Sequence, residues 1–398
     1  MTTENPHAET GEVNLIDSEF AACPHAVFSR LRENFPVAPA MFVGWPVVSR
    51  YSDVVWALRH PEVFSSEMDL ELGLGTERPM IPQQIDPPEQ TRYRKILDHR
   101  FSRKRMAVME PEIRRHANEL IDKFVDEGEV EFNQAFAVPL PCTAFLHLMG
   151  LPTEHLKLFL ELKDGIIRPK APPGDIEKAR ELRAASGKRI YDYFGKLIDE
   201  RTAQPLDDMM TYLVSAEVDG RKLSREEILD ICFLFLLGGL DTVTASLGCS
   251  IAYLAANPRQ RRKIVESPAL VPGAVEELLR WETPVMIVPR VAKRDVTIAG
   301  VEIVAGSVVN LLLGAADTDG EEFEGADQVD FERERNRHVA FGAGPHRCLG
   351  SHLARLEMRV ALEEWHRRIP HYEIKPGEVA KYSPGIREVQ YLPLVWKS

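Results

Sequence analysis

Phe341–Glu357, FGAGPHRCLGSHLARLE, is the stretch on which the reading of this chain turns. A glycine-rich loop delivers Cys348 close to the start of an amphipathic helix, CLGSHLARLEMRVALEEWHRRIP. The loose N–H groups and the macrodipole of such a first turn stabilise a thiolate. Gly344 and Gly350 let backbone approach the sulfur and leave room for a flat ligand. A thiolate so placed suits metal ligation or nucleophilic attack. Taken alone, a cysteine beside a helix start is more often a buried structural residue.

The rest of the chain narrows the choice. It has 398 residues, 44% of them hydrophobic, enough for a large core. No Gly/Ser linker, low-complexity tract or repeat divides it, so one large domain with a smaller strand-rich lobe is expected. A net charge of −12 argues against nucleic-acid binding. The first nineteen residues are polar and acidic, lack a signal-peptide core, and read as a flexible segment before a domain over 20–398. No uninterrupted apolar run is long enough for a span, so no membrane anchor and a cytoplasmic location are expected. Cys23, Cys142, Cys232, Cys249 and Cys348 are odd in number and never form a C-x-x-C pair, which fits neither a disulfide framework nor a zinc site.

Helical periods dominate. Helices are predicted over 24–34, 52–59, 90–99, 106–127, 153–167 and 176–200, with a long Gly/Pro-rich loop over 68–88. Ser224 with Glu227 forms a capping box. From there one apolar helix is predicted to run to Asn257-Pro258, on the order of 50 Å. Short strands follow: VTIAGVEIVAG turns at Gly300, SVVNLLLGA is a third run, and PGIREVQYLPLVW reads as a strand pair.

The long apolar helix is interrupted by LLGGLDTVTAS, residues 236–246. Glycine in a helix interior costs about 1 kcal/mol relative to alanine, and a buried carboxylate costs more unless paired. Read locally, this is a helix break followed by an Asp cap. Glu277 and Arg280 in EELLR lie i,i+3 on one helix face, which is usually a solvated pair. DPPEQTRYRKIL is an ordinary helix start after a double proline.

Together these motifs resemble the cytochrome P-450 superfamily, the haem-thiolate monooxygenases. F-x-x-G-x-H-x-C-x-G, from Phe341 to Gly350, is similar to the family's haem-binding loop and is highly specific. The resemblance implies a mainly α fold: a large single domain with a helix-rich lobe and small β-sheets, and haem between two long helices. It implies haem b (iron protoporphyrin IX) as cofactor, with Cys348 as the iron ligand. Phe341, Gly342 and Gly350 then lie against the cofactor, and His346, Arg290, Arg94 and Gln90 hold its propionates. Many relatives carry histidine where this chain has Gln90, which makes that contact weaker. Glu277, Arg280 and Arg333 become a structural triad bracing the cysteine loop. Asp241 and Thr242 become the acid–alcohol pair that delivers protons during oxygen activation. The resemblance covers nearly the whole chain, and LLGGLDTV, DPPEQ and the terminal LPLVW look nearest to the camphor-hydroxylating bacterial type.

The implied reaction inserts one atom of dioxygen into a C–H bond. The chain has no flavin or iron–sulfur motif, so a ferredoxin and an NAD(P)H-dependent ferredoxin reductase are the implied electron donors. Arg92, Lys95, Arg100, Arg103, Lys104, Arg105 and Arg347 could receive an acidic ferredoxin. Met80, Ile81, Leu237, Val285, Met286, Ile287, Val288 and Ile386 are the candidate pocket. Their apolar, branched character suits a compact hydrophobic substrate such as a terpenoid, with a fatty acid or steroid as the alternative. Arg78 and Arg168 are candidate anchors for a substrate carboxylate or ketone. The family is usually monomeric. A haem-thiolate peroxygenase, a haem sensor or carrier, and a cysteine hydrolase are the competing classes; Asp241-Thr242 speaks against the first two, and the lack of an Asn/Asp partner pattern against the third.

Overall fold

The structure is a computed structural model that describes residues 14, 18–39, 44–68, 74–172, 174–383 and 386–397. Most of the expected flexible segment 1–19, and residues 69–73 of the expected long loop, lie outside the described residues. The chain forms two compact units, Met1–Ser65 with Met106–Val138 and Thr242–Ser398, and Ser66–Arg105 with Pro139–Asp241. Each is assembled from interleaved segments, which is why no linker composition marks a boundary in the sequence.

The larger unit holds a five-stranded sheet in the order Val37–Pro39, Pro46–Val48, Val308–Leu312, Ile287–Ala292, Phe64–Ser65. Val309 pairs with Arg290 and Leu311 with Val288 in the central antiparallel pair, a ladder rich in β-branched residues. The predicted turn at Gly300 is present: Val296–Ile298 pairs with Val301–Ile303, and Ala299 and Gly300 both take positive φ (46° and 81°), as a tight hairpin requires. Phe28 and Leu31 pack with Val47 and Leu312 in one core cluster, and Val54, Phe64 and Val339 pack with Val48, Val309 and Leu311 in another, so the alternation along the strands sets the two on opposite faces of the sheet. Each such side chain contributes about 1.5–3 kcal/mol by leaving water. Trp365, on the helix Ser351–Arg368, is fully buried among Phe124, Phe132, Phe136 and Tyr372.

The predicted terminal strand pair is not one. Glu388–Tyr391 pairs with Lys381–Ser383, while Pro393–Val395 lies between Glu373–Ile374 and Glu129–Glu131. Only Leu392 separates the two runs, too little chain for a hairpin turn. The helix predicted over 106–127 is also broken: a short helix Arg103–Met106 and a 3-10 turn precede Glu110–Ile121, where Pro111 fits only the first helical turn.

The smaller unit is helical, built from Glu89–Arg100, Pro139–Met149, Leu156–Ile167, Ile176–Ala203, Met209–Ser215 and Arg225–Leu240, with a small hairpin Glu217–Val218/Arg221–Lys222. Phe159 packs edge-on against Tyr193 and Phe194 at its centre. The capping box at Ser224 is formed, with both reciprocal hydrogen bonds in place. The apolar helix does not run unbroken to Asn257. It ends at Leu240, Asp241 departs from helical geometry (φ −119°, ψ −35°), and a second helix spans Thr242–Ala256. The run Arg225–Ala256 has the length and hydropathy of a membrane span, and 67% of its most apolar window is buried within the protein.

Candidate active site

The cysteine loop of the larger unit is built on two left-handed glycines, Gly342 (φ +66°) and Gly344 (φ +67°). A Cβ on Gly344 would stand 2.3 Å from the Leu58 carbonyl oxygen, so no side chain fits there. The loop closes by two backbone bonds: Gly342 N–H donates to the Val339 carbonyl at 2.7 Å and Cys348 N–H to the Phe341 carbonyl at 2.8 Å. Cys348 is exposed, and Gly350 caps the helix Ser351–Arg368. Around Gly350 a Cβ would meet nothing within 4 Å. An accessible thiol at a helix start, an open glycine behind it, and His346 and Arg290 as donors in the same unit fit a flat, dicarboxylate, iron-bearing cofactor.

Behind the loop, the helix Val271–Glu282 supplies a hub. Glu277 and Arg280 are both fully buried. The Arg280 guanidinium donates to both Glu277 oxygens, at 2.9 and 2.7 Å, and to the carbonyls of Asp317, Ala326 and Gln328. Arg333 donates to Glu277 at 3.0 Å, as does Asn336. The three residues named from the sequence are thus brought together. A second carboxylate, Glu276, was missed: it takes a bidentate bond from Arg355 (2.6 and 2.8 Å) and one from His338 (3.1 Å). Burial pushes the Glu276 carboxyl up, but His338 and Arg355 outweigh it and hold it down at about 2. Arg355 in turn lies 4.4 Å over the Phe341 ring. Its i,i+4 offset from Ser351 was visible in the sequence; its partner was not.

The remaining candidate residues up to Asp241 lie in the smaller unit. Asp241 is fully buried and clamped by two cations from the segment Leu156–Arg168. Lys163 Nζ donates to Oδ1 at 2.9 Å, and Arg168 to Oδ2 at 3.0 Å and Oδ1 at 3.3 Å. Burial works against the charged form of Lys163, but the Asp241 carboxylate overrides it and the amine is shifted upward. Arg168, a candidate substrate anchor, is therefore taken up by Asp241. Arg78, the other, donates to both oxygens of Asp230 at 2.9 and 3.0 Å, and the Tyr191 hydroxyl donates to the same carboxylate. Both anchor assignments are corrected on this ground.

The two glycines of LLGGLD serve different ends. A Cβ on Gly239 would meet the Phe145 ring at 2.6 Å, whereas one on Gly238 would meet nothing within 4 Å. Leu237, Met80 and Ile81 are buried in this unit. Gln90 is buried in the first turn of Glu89–Arg100, where its side-chain oxygen accepts from the Thr91 hydroxyl; Arg94, one turn on, pairs with Asp98 at 2.8 Å.

In the larger unit, Thr242 opens the second helix and its carbonyl accepts from the Ser246 hydroxyl at 2.8 Å. Val285, Ile287, Val288 and Ile386 are partly buried. Arg387 N–H donates to the Pro284 carbonyl at 2.8 Å, setting Ile386 and Val285 on adjoining segments. Met286 differs from the expectation: it belongs to the Phe28 core and packs toward Gly314, so it is a structural residue. A surface cleft of about 580 Å³ lined by His25, Tyr253, Trp281 and Arg387 contains none of the site residues named from the sequence.

Comparison with known proteins agrees with the motif reading. A family model described as Cytochrome P-450 matches residues 174–378. Cytochrome P-450 107B1 of Saccharopolyspora erythraea is 32% identical over 97% of this chain and 98% of its own. The steroid C26-monooxygenase of Mycobacterium tuberculosis is 33% identical over 91% and 90%. Among solved structures, CYP109E1 from Bacillus megaterium in complex with testosterone covers 96% of this chain and 100% of its own at TM-score 0.89 and 28% identity.

Proposed function

We propose that this chain, which belongs to the cytochrome P-450 family of haem-thiolate monooxygenases, holds haem b through Cys348 and hydroxylates a compact, neutral hydrophobic substrate. The observation that carries the assignment of Cys348 is its exposed position on a glycine loop anchored to the buried Glu277–Arg280–Arg333 hub. Bound there, haem supplies the iron at which dioxygen is bound and activated. The N–H groups at the helix start favour the thiolate over the thiol. His346 and Arg290 are donors for the propionates, and Phe341, Gly342 and Gly350 are the loop residues that face the cofactor. Gly238 adds no Cβ to the open side of its helix. Thr242 orients water with its hydroxyl, and Asp241, held by Lys163 and Arg168, passes protons from the protein side.

Leu237, Met80 and Ile81 in one unit, and Val285, Ile287, Val288 and Ile386 in the other, have the apolar, branched character that suits a terpenoid. Arg78 and Arg168 are engaged with Asp230 and Asp241, so neither is left to hold a carboxylate, which disfavours a fatty acid. A steroid is the second reading, supported by the names of the mycobacterial relative and of the testosterone complex. Residues 20–398 act as one catalytic domain of a monomeric, cytoplasmic enzyme, nearest in type to the camphor hydroxylases, with electrons from a ferredoxin and its NAD(P)H-dependent reductase.

The reduced, carbon-monoxide-bound spectrum of the purified holoprotein tests the ligand. A strongly red-shifted band that is lost in Cys348→Ser supports it, and an unshifted band in the wild type refutes it. Titrating terpenoids, steroids and fatty acids against the haem absorption band tests the substrate class: a response to long-chain acids alone would overturn the neutral-substrate reading.

A further inference from the structure

Asp317 is a buried carboxylate that no motif accounts for. It follows the short helix Leu313–Ala316 and is fully shielded from water. Its Oδ1 accepts the Val339 N–H at 2.5 Å, and its Oδ2 accepts the Thr283 hydroxyl at 3.0 Å. Its own carbonyl accepts from Arg280 at 2.9 Å. Thr283 ends the Glu277 helix in a left-handed conformation (φ +32°), and Val339 stands two residues before Phe341. One carboxyl therefore joins the end of the hub helix to the entry of the cysteine loop.

We propose that Asp317 is a positioning residue for the haem thiolate, fixing the entry of the Cys348 loop and changing the charge at that entry on protonation without breaking either hydrogen bond. The inference rests on the reading of Cys348 as iron ligand. The Thr283 hydroxyl oxygen lies 2.8 Å from the Arg280 carbonyl as well as 3.0 Å from Asp317. When Asp317 is ionised, the threonine donates to it. When Asp317 is protonated, its O–H donates to the threonine, whose own proton turns to the Arg280 carbonyl. The Val339 bond to Oδ1 persists in both states.

The environment places that switch in an accessible range. Burial pushes the carboxyl up to about 6, against the downward pull of His338, the Val339 N–H, Thr283 and Arg280. The charged groups facing it are themselves paired. Arg280 is neutralised by Glu277, and His338 is bonded to Glu276. The Tyr51 phenol is raised mainly by its own burial, then by Glu322 and Asp317. Asp319 accepts the Tyr51 N–H at 2.8 Å and lies 4.0 Å from Arg32. A negative charge gained at the loop entry favours ferric over ferrous iron, so the midpoint potential should fall as pH rises through the titration.

The test compares wild-type holoprotein with Asp317→Asn and Asp317→Ala. Asparagine can still accept from Val339 and donate to Thr283, but carries no charge. Amide exchange at Val339 should quicken by at least about tenfold in Asp317→Ala and by less than about twofold in Asp317→Asn. Asp317→Ala should also lose part of the red-shifted carbon-monoxide band, whereas Asp317→Asn keeps it. The fall in midpoint potential between about pH 5 and 7 should be present in the wild type and absent in Asp317→Asn. Unchanged exchange in Asp317→Ala, or a wild-type potential profile in Asp317→Asn, overturns the proposal. If Asp317→Ala does not fold, the Asp317→Asn profile decides. A wild type without the red-shifted band fails the Cys348 reading instead, and the exchange comparison, which needs no haem, still judges the brace.

Discussion

Replacing Asp241 by asparagine tests whether its cation clamp is structural, catalytic or both. The substitution keeps shape but leaves Lys163, whose side chain is 6% exposed, facing a neutral amide, while Arg168 at 27% can turn to water. Breaking a buried pair by removing one partner costs about 3–5 kcal/mol. Lys163 can shed part of that penalty by losing its proton, since it is the Asp241 charge that holds its pKa up, so about 2–4 kcal/mol is expected here. Lys163→Met should cost less, about 1–2 kcal/mol, because Asp241 keeps both bonds from Arg168. The double variant should be no less stable than Asp241→Asn alone, giving a coupling of about 1–3 kcal/mol. Urea midpoints at a common slope give the stabilities, and oxygen consumption with tightly bound substrate gives the catalytic consequence: Asp241→Asn should slow it with haem content retained. If Asp241→Asn costs less than about 1 kcal/mol and Lys163→Met costs the same in both backgrounds, the clamp holds nothing and the reasoning fails.

Thr242→Ala should retain haem and substrate binding but divert reducing equivalents into hydrogen peroxide; an unchanged product yield per electron would refute the role of the hydroxyl. Glu277→Gln strips the charge from a fully buried hub that Arg280, Arg333 and Asn336 all address, and holoprotein yield should fall at least about tenfold, measured as haem per protein. Asp317, raised from the ordinary 3.8 to about 6, binds its proton more tightly folded than unfolded, so wild-type stability should fall as pH rises from about 4 to 6 and level off above. Asp317→Asn should lack that fall and exceed the wild type by up to roughly 3 kcal/mol at pH 7, converging with it near pH 4. Reversing Arg103, Lys104 and Arg105, all exposed, should cut the on-rate of an acidic ferredoxin about tenfold at low salt and flatten its salt dependence, read by stopped-flow reduction.

What could be read from sequence followed the range of the interaction. The cysteine loop is local: ten residues carry the glycines, the thiol and the helix start. The Glu277–Arg280 pair is local too, and the resemblance supplied Arg333 across more than fifty residues. Lys163 and Arg168 reach Asp241 over 78 and 73 residues. They sit in the segment where the family pattern is weakest, and no period or motif marks them. Asp317 looks like a surface acid in AADTDGEEFEG, because burial is a property of the packed neighbours, and nothing in VEELLR marks the pairing of Glu276 with His338 and Arg355. Pro139–Met149 was missed for a related reason. Eight of its eleven residues are buried, so it has no polar face from which a helical period could be recognised.

The two glycines of LLGGLD show how a correct motif can hide two causes. From sequence the two read as one feature, a helix break ahead of Asp241. In the fold, Gly239 is required by packing: the Phe145 ring occupies the space a side chain would need. Gly238 has no such neighbour, and is exposed in a run where Phe235, Leu236, Leu237 and Leu240 are buried. Packing cannot be what Gly238 is for. The helix then ends two residues later, not through glycine alone but because Asp241 is drawn to two cations on another helix. The break, the open side of the helix and the paired acid are separate devices, laid end to end by four consecutive residues.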